Sequence, residues 1–189
     1  TLGFASATAM VNTLDAATLA KILQYHVLPT AKTAAQIAGG GATQATLYTF
    51  EGAASTLSVS STGGVKLTDE VLTQATVTTA DVSASNGVIH VIDKVLVPPG
   101  VLDIVQMAKL NPTFSVLVEA VVAANLANAL SGAGPLTVFA PTNDAFTAAL
   151  TELSLTKAQL LASPSLSGIL TYHVVNGNVR AADVVALPK

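Results

Sequence analysis

The chain has 189 residues, 51% hydrophobic and only 10% charged, which is ample apolar material for a buried core and too apolar for a disordered segment. Its formal net charge of −3, with eight Lys plus Arg, leaves no basic patch to neutralise a phosphate backbone, so nucleic acid is not an expected partner. The absence of cysteine excludes disulfides, thiolate metal sites and cysteine nucleophiles together.

Residues 8 to 27 place Val11, Leu14, Leu19, Ile22, Leu23 and His26 largely at three- and four-residue spacings, which predicts an amphipathic helix ending between Tyr25 and Leu28 and stopped by Pro29. Gly39, Gly40 and Gly41 are not followed by the Lys-Ser/Thr of a phosphate loop and read as a flexible hinge. Short β-rich runs follow, Leu47 to Phe50, Thr56 to Ser60, Val65 to Thr68 and Ala75 to Thr79; separated by Gly, Ser and Asp, they predict an antiparallel meander. Asn86-Gly87 signals a turn into Val88 to Val97, an apolar run without helical spacing that reads as a central strand covered on both faces. Pro98, Pro99 and Gly100 close it and mark a domain boundary.

Helical spacing returns in Val101 to Leu110 and Phe114 to Leu130, with Pro112 at a first-turn position. Glu119, Asn125 and Asn128 interrupt the most apolar stretch, which falls short of the roughly 20 apolar residues of a membrane span, so the chain is not expected to span one. Leu136 to Ala140 reads as a short buried strand, and Thr142 as the N-cap of a helix starting near Ala145, with Asp144 favouring the helix dipole.

Residues 19 to 27 (LAKILQYHV) and 166 to 174 (LSGILTYHV) agree at six of nine positions, 147 residues apart. The chain thus holds more than one copy of a unit and fewer than two: residues 101 to 189 carry an opening half, residues 1 to 100 a middle and closing half.

Thr137 to Phe146 (TVFAPTNDAF), the two Tyr-His pairs, and Asn86 to Pro99 (NGVIHVIDKVLVPP) together resemble the fasciclin-like domain family of fasciclin I and periostin type. The resemblance implies an α+β fold, a wedge-shaped β-sandwich flanked by helices, present here as about one and a third repeats with incomplete ends. Residues 1–100 would be the C-terminal two-thirds of one domain and residues 101–189 the N-terminal two-thirds of the next. It also implies cell adhesion and matrix association, in tandem domains on secreted or surface-anchored proteins, with no shared enzymatic chemistry and no cofactor. Its adhesion motifs fall on Tyr25, His26, Tyr172 and His173, and on Asp81-Val82, where Val replaces the family's Ile.

The residues themselves also support a plainer reading. Leu166, Ile169, Leu170 and His173 stand at i, i+3, i+4 and i+7, so the imidazole continues an apolar stripe. A buried, hydrogen-bonded ring is then the simpler role for His26 and His173, because leaving such a group unpaired costs about 1–3 kcal/mol. His90 shares a strand face with Val88, Ile92 and Leu96 and reads as core, with no second metal ligand paired to it. Asp93, in the predicted strand, and Asp144, at a helix start, are not a catalytic pair, and neither G-x-S-x-G nor H-E-x-x-H occurs, so no enzyme is expected.

The expected function is therefore an extracellular cell-adhesion or matrix module, secreted or at the cell surface, with a composition that leans towards a bacterial source. Any signal peptide is expected upstream of Thr1. Expected partners are other fasciclin-like domains or copies of the chain, a cell-surface protein, or a polysaccharide. A sharper form has residues 101 to 189 completed by the equivalent of residues 40 to 100 from the next copy or another molecule, a head-to-tail contact that builds filaments. The alternative, which the resemblance also implies, is an apolar small-molecule carrier of carotenoid type, with abundant Ala, Val and Leu to line a groove; five Phe, three Tyr and no Trp leave it little stacking surface.

Overall fold

The structure, a computed structural model, describes residue 8 and residues 12–185. The chain divides into two compact units, Thr1–Leu102 and Asp103–Lys189.

In the first unit, helix α1 (Ala16–Tyr25) starts where the Asp15 carboxylate accepts the Thr18 N–H at 2.9 Å. That cap breaks the longer helix expected from residue 8, and Val11 of its stripe lies outside the described residues. Helix α2 (Ala34–Gly39) opens on a capping box between Thr33 and Gln36, an instance of the S/T-x-x-E/Q signature of helix starts. The three glycines terminate this helix instead of forming a hinge. A Cβ at Gly40 would stand 2.7 Å from the Gln36 carbonyl oxygen, and Gly41, at φ 99°, turns the chain into the sheet.

Strands β1 (Thr43–Phe50), β2 (Ala53–Ser60), β3 (Lys66–Thr68), β4 (Gln74–Ala84) and β5 (Gly87–Ile92) form a five-stranded antiparallel sheet in sequential order, the expected meander. Glu51 and Gly52, both at positive φ, make the two-residue β1–β2 turn whose twist suits a hairpin. β5 is an edge strand, and this corrects the two-sided central strand read from Val88 to Val97. Ile89 and Val91 face outward, while Leu96 and Val97 lie in an irregular segment that dives into the core. The run is rich in apolar residues at both ends because its first half is a one-sided strand and its last residues are buried loop, with Asp93 and Lys94 between them.

The core of this unit gathers Tyr25, Tyr48, Leu57, Ala75 and Leu96. The inward positions of β1 also include Gln44 and Thr46, both satisfied: Gln44 Nε2 donates to the Gly40 carbonyl at 3.3 Å, and the Thr46 hydroxyl to the Ser55 carbonyl at 2.9 Å.

The second unit is mainly helical. Helix α3 (Ile104–Leu110) has a capping box of Asp103 and Gln106, and a 3₁₀ turn (Pro112–Phe114) leads into α4 (Ser115–Ala123). Asn125, at φ 55°, separates α4 from α5 (Ala127–Leu130), so the helix expected over 114 to 130 is two. Strand β6 (Leu136–Val138) is half-buried and pairs antiparallel with β7 (Val174–Asn176). Helix α6 (Asn143–Glu152) is capped by Thr142, as expected, which accepts the Ala145 N–H at 3.2 Å. Helices α7 (Lys157–Leu161), α8 (Leu166–Tyr172) and α9 (Ala181–Val185) follow.

The second core comprises Leu117, Ala120, Val121, Phe146, Leu160, Leu166 and Leu170, all from helices. The architecture is α+β, with a sheet-based core in one unit and a helix-based core in the other. No helix among the described residues is long and apolar enough to cross a membrane.

Candidate functional site

Tyr25 and His26 end α1, and the helix directs both into the sheet. The Tyr25 hydroxyl donates to the Thr56 carbonyl at 3.0 Å, and its ring meets that of Tyr48 edge-on, 6.3 Å between centroids. Burial, with the negative charges of Glu70 and Asp69 adding to it, holds the phenol proton well above the ordinary tyrosine range.

His26 Nδ1 lies 2.7 Å from the Ile22 carbonyl, which can only accept, so Nδ1 carries the proton. Nε2 is then a lone pair, and it accepts the Leu96 main-chain N–H at 2.9 Å. One neutral tautomer satisfies both contacts.

Asp69 takes the next amide. Its Oδ2 accepts from Val97 N–H at 3.0 Å and from Lys94 Nζ at 2.9 Å, while Oδ1 accepts the N–H groups of Val71 and Thr73. The carboxylate is fully covered. Sequence reasoning missed it because its partners Lys94 and Val97 come from 25 and 28 positions away.

Asp81 adopts φ 57° at an irregularity in the β4–β5 pairing. Its carboxylate accepts the Ala34 N–H at 2.8 Å, its own N–H donates to His90 Nδ1 at 3.4 Å, and His90 Nε2 donates to the Lys32 carbonyl at 2.8 Å. This clasp ties the hairpin to the start of α2. His90 is thus half-buried and hydrogen-bonded, while Val82 stays exposed opposite Ile89.

Tyr172 and His173 end α8 in the second unit. His173 Nδ1 repeats its counterpart's bond, to the Ile169 carbonyl at 2.8 Å, and no group among the described residues donates to its Nε2. Beside it lies a shallow hollow lined by Pro164, Gly168, Ile169 and Tyr172. His173 also borders an apolar cavity of about 180 Å³, lined by Val105, Leu117, Val121, Leu136 and Leu170.

The two copies of the helix bury opposite faces. Ile22 and Tyr25 are 3% and 0% exposed, while their counterparts Ile169 and Tyr172 are 43% and 90% exposed. Leu23 is 66% exposed, and its counterpart Leu170 only 4%. The expected Leu166, Ile169, Leu170 and His173 stripe is therefore half right: both leucines face the helical core and Ile169 does not.

Asp93 accepts the Thr76 N–H at 2.7 Å, and Asp144 sits in the first turn of α6. Among the described residues no group of three or more metal-ligating side chains stands together.

The Fasciclin domain family model matches residues 4–98 and again residues 112–189. The chain belongs to the fasciclin domain family. Relatives of the chain include Protein sll1483 of Synechocystis sp., 52% identical over 87 residues, a match covering 44% of this chain and 46% of that one. Periostin of Homo sapiens is 33% identical over 132 residues, covering 66% of this chain and 14% of periostin. The chain thus spans less than half the length of either relative. A solved FAS1 domain pair from the insect cell adhesion molecule fasciclin I aligns with a TM-score of 0.46 at 20% identity, over 93% of this chain and 63% of that one. Fasciclin domains form an adhesion-module family that is generally non-enzymatic.

Proposed function

We propose that this chain is an extracellular cell-adhesion or matrix module, part of a fasciclin array in which residues 1–100 close one domain and residues 101–189 open the next. The reading is carried by one observation: the Tyr-His helix occurs twice, and in the second unit its aromatic face is left to solvent. Exposed aromatic side chains are favoured interface anchors because they bury much apolar area while ordering only two torsions. Tyr172, Ile169 and His173 are accordingly the contact residues for a cell-surface protein, a polysaccharide or another fasciclin domain. Tyr25, His26 and Asp81 act through the fold, and Val82 offers a smaller apolar contact beside Ile89.

The test is retention of the tagged chain on intact bacterial cells and on isolated extracellular polysaccharide. Saturable retention that drops several-fold in Tyr172→Ala supports the reading; capture of cytoplasmic proteins alone sinks it.

One feature favours the carrier reading, the apolar cavity beside α8. At about 180 Å³ it is below the roughly 300–1,000 Å³ of ligand pockets that enclose a drug-sized molecule, and a roomier hollow beside β5, about 480 Å³, has polar lining from Thr30, Lys32, Gln44, Asn86 and His90 that suits an apolar ligand poorly. Carriage of a carotenoid-sized ligand therefore ranks second, and a visible absorption band in the purified protein would reverse that order.

A further inference from the structure

The first unit ends in a segment that joins no strand. β5 stops at Ile92, and residues Asp93 to Gly100 run on as irregular chain, so their main-chain polar groups need partners other than a ladder. Side chains supply them. Asp69 Oδ2 accepts from Lys94 Nζ at 2.9 Å and from the Val97 N–H at 3.0 Å, His26 Nε2 accepts the Leu96 N–H at 2.9 Å, and the Tyr48 hydroxyl donates to the Pro99 carbonyl at 3.1 Å. Leu96 and Val97 are each 1% exposed, and Pro98 is fully buried with them.

Gly100 completes the series. It stands at φ 70°, and a Cβ there would overlap the ring of Phe50, so the last residue of β1 packs directly on bare main chain. Pro98 and Pro99 bring fixed φ angles, which lowers the entropy lost when the segment is held to one path. Just beyond, Asp103 is held by the capping box with Gln106 that opens α3. Val101 and Leu102 alone lie between these two anchored points.

We propose that Asp93–Gly100 is a fixed exit strap, which carries the chain out of the first unit along one path and confines bending ahead of α3 to Val101 and Leu102. A Pro- and Gly-rich boundary ordinarily reads as a flexible tether between domains. Here its anchors make it part of the first unit: Asp69 and His26 hold the buried half of the strap, and Tyr48 and Phe50 hold the half that leaves. The strap stands on the first unit's own contacts, whereas its use rests on the array reading above. In an array, a module would hand the chain to its neighbour from one point and in one direction, so that Tyr48 and Phe50, far from the Tyr-His motif's exposed copy in sequence, limit how freely the next module is presented.

NMR backbone relaxation on the full chain reads the order of each amide. Order parameters at Leu96, Val97 and Gly100 are expected near the rigid value of about 0.85, falling no earlier than Val101. Phe50→Ala, at a side chain 37% exposed, is expected to drop Gly100 below about 0.6 while Leu96 and Val97 keep their order. A Gly100 amide already below that value in the parent chain overturns the proposal, and so does one that Phe50→Ala leaves unchanged. Folding equilibria give an independent readout. Gly100→Ala adds a methyl group against the Phe50 ring and also places Ala at a positive φ; in the Phe50→Ala background only the second penalty remains. The substitution is therefore expected to lower the folding equilibrium constant at least about fivefold less in that background than in the parent. Equal losses would mean that the ring does not hold Gly100, and they overturn the proposal too. Both measurements use the purified chain, so absent cell retention removes the adhesion reading and leaves the strap, whereas a mobile Gly100 removes the strap and leaves that reading.

Discussion

Nε2 of His26 accepts the main-chain N–H of Leu96, 70 residues further along the chain. The bond anchors the segment after β5 to the end of α1, beside the core that excludes water. Replacing His26 with Ala orphans that amide, and an unpaired buried donor costs about 1–3 kcal/mol. The equivalent His173→Ala orphans no second partner and is expected to cost less than about 1 kcal/mol. Hydrogen exchange at the Leu96 amide, read beside urea denaturation, checks the difference.

Asp69 makes a stronger prediction. Its covered carboxylate holds Lys94 and the amides of Val71, Thr73 and Val97. Asp69→Ala removes every acceptor and strands the lysine, a loss on the order of 3–5 kcal/mol for a broken buried pair. Asp69→Asn keeps one carbonyl acceptor and should lose clearly less. Equal losses in denaturant titrations of the two variants would show that the negative charge, which Asn lacks, and not the retained acceptor geometry, dominates here.

What the sequence revealed follows from the range of the forces involved. Caps are local, so Thr142 was legible from Pro141-Thr142-Asn143-Asp144, and Thr33 with Gln36 carries an equally local signal for α2, obscured by the glycine run just beyond it. The meander was legible because turn residues punctuate it. The apolar run of Val88 to Val97 misled because hydrophobicity reports burial without saying whether a strand or a loop is buried. The role of Asp69 lay out of reach, since distant main-chain amides carry no sequence signature. The repeat itself was plain, but its meaning was not: identical residues at Tyr25 and Tyr172 differ wholly in exposure because different layers surround them.

Glu70 carries a pH dependence of defined sign. Burial, with the neighbouring Asp69 charge adding to it, raises its pKa above the ordinary 4.5. The folded chain then holds this proton at pH values where the unfolded chain has released it, so stability falls as pH rises through the carboxylate range. Glu70→Gln should remove that slope and stabilise the protein at neutral pH by less than about 1 kcal/mol, given solvent screening. Asp15 runs the other way: the Thr18 hydrogen bonds lower its pKa, so its contribution is present at neutral pH and lost on acidification. Urea midpoints from pH 4 to pH 7 in the Glu70→Gln chain read the first effect directly.

Tyr25 and Tyr172 provide a comparison inside one molecule, since each belongs to the same nine-residue motif. Truncating Tyr25 to Ala empties a site in the sheet core and should cost about 3–5 kcal/mol, whereas Tyr172→Ala removes a solvent-exposed ring and should fall within about 0.5 kcal/mol of zero. Tyr25→Phe isolates the hydroxyl bond to Thr56, worth about 1 kcal/mol. Alkali supplies a second readout. Because the folded chain keeps the Tyr25 proton at pH values where an ordinary phenol near 10.0 has lost it, the stability of the folded state declines as pH rises past that value. The Phe variant has no proton to lose there, so its urea midpoint should decline less steeply above pH 10, while Tyr172→Phe should track the parent chain throughout. Parallel curves for the parent and Tyr25→Phe would mean that the buried phenol does not couple to unfolding.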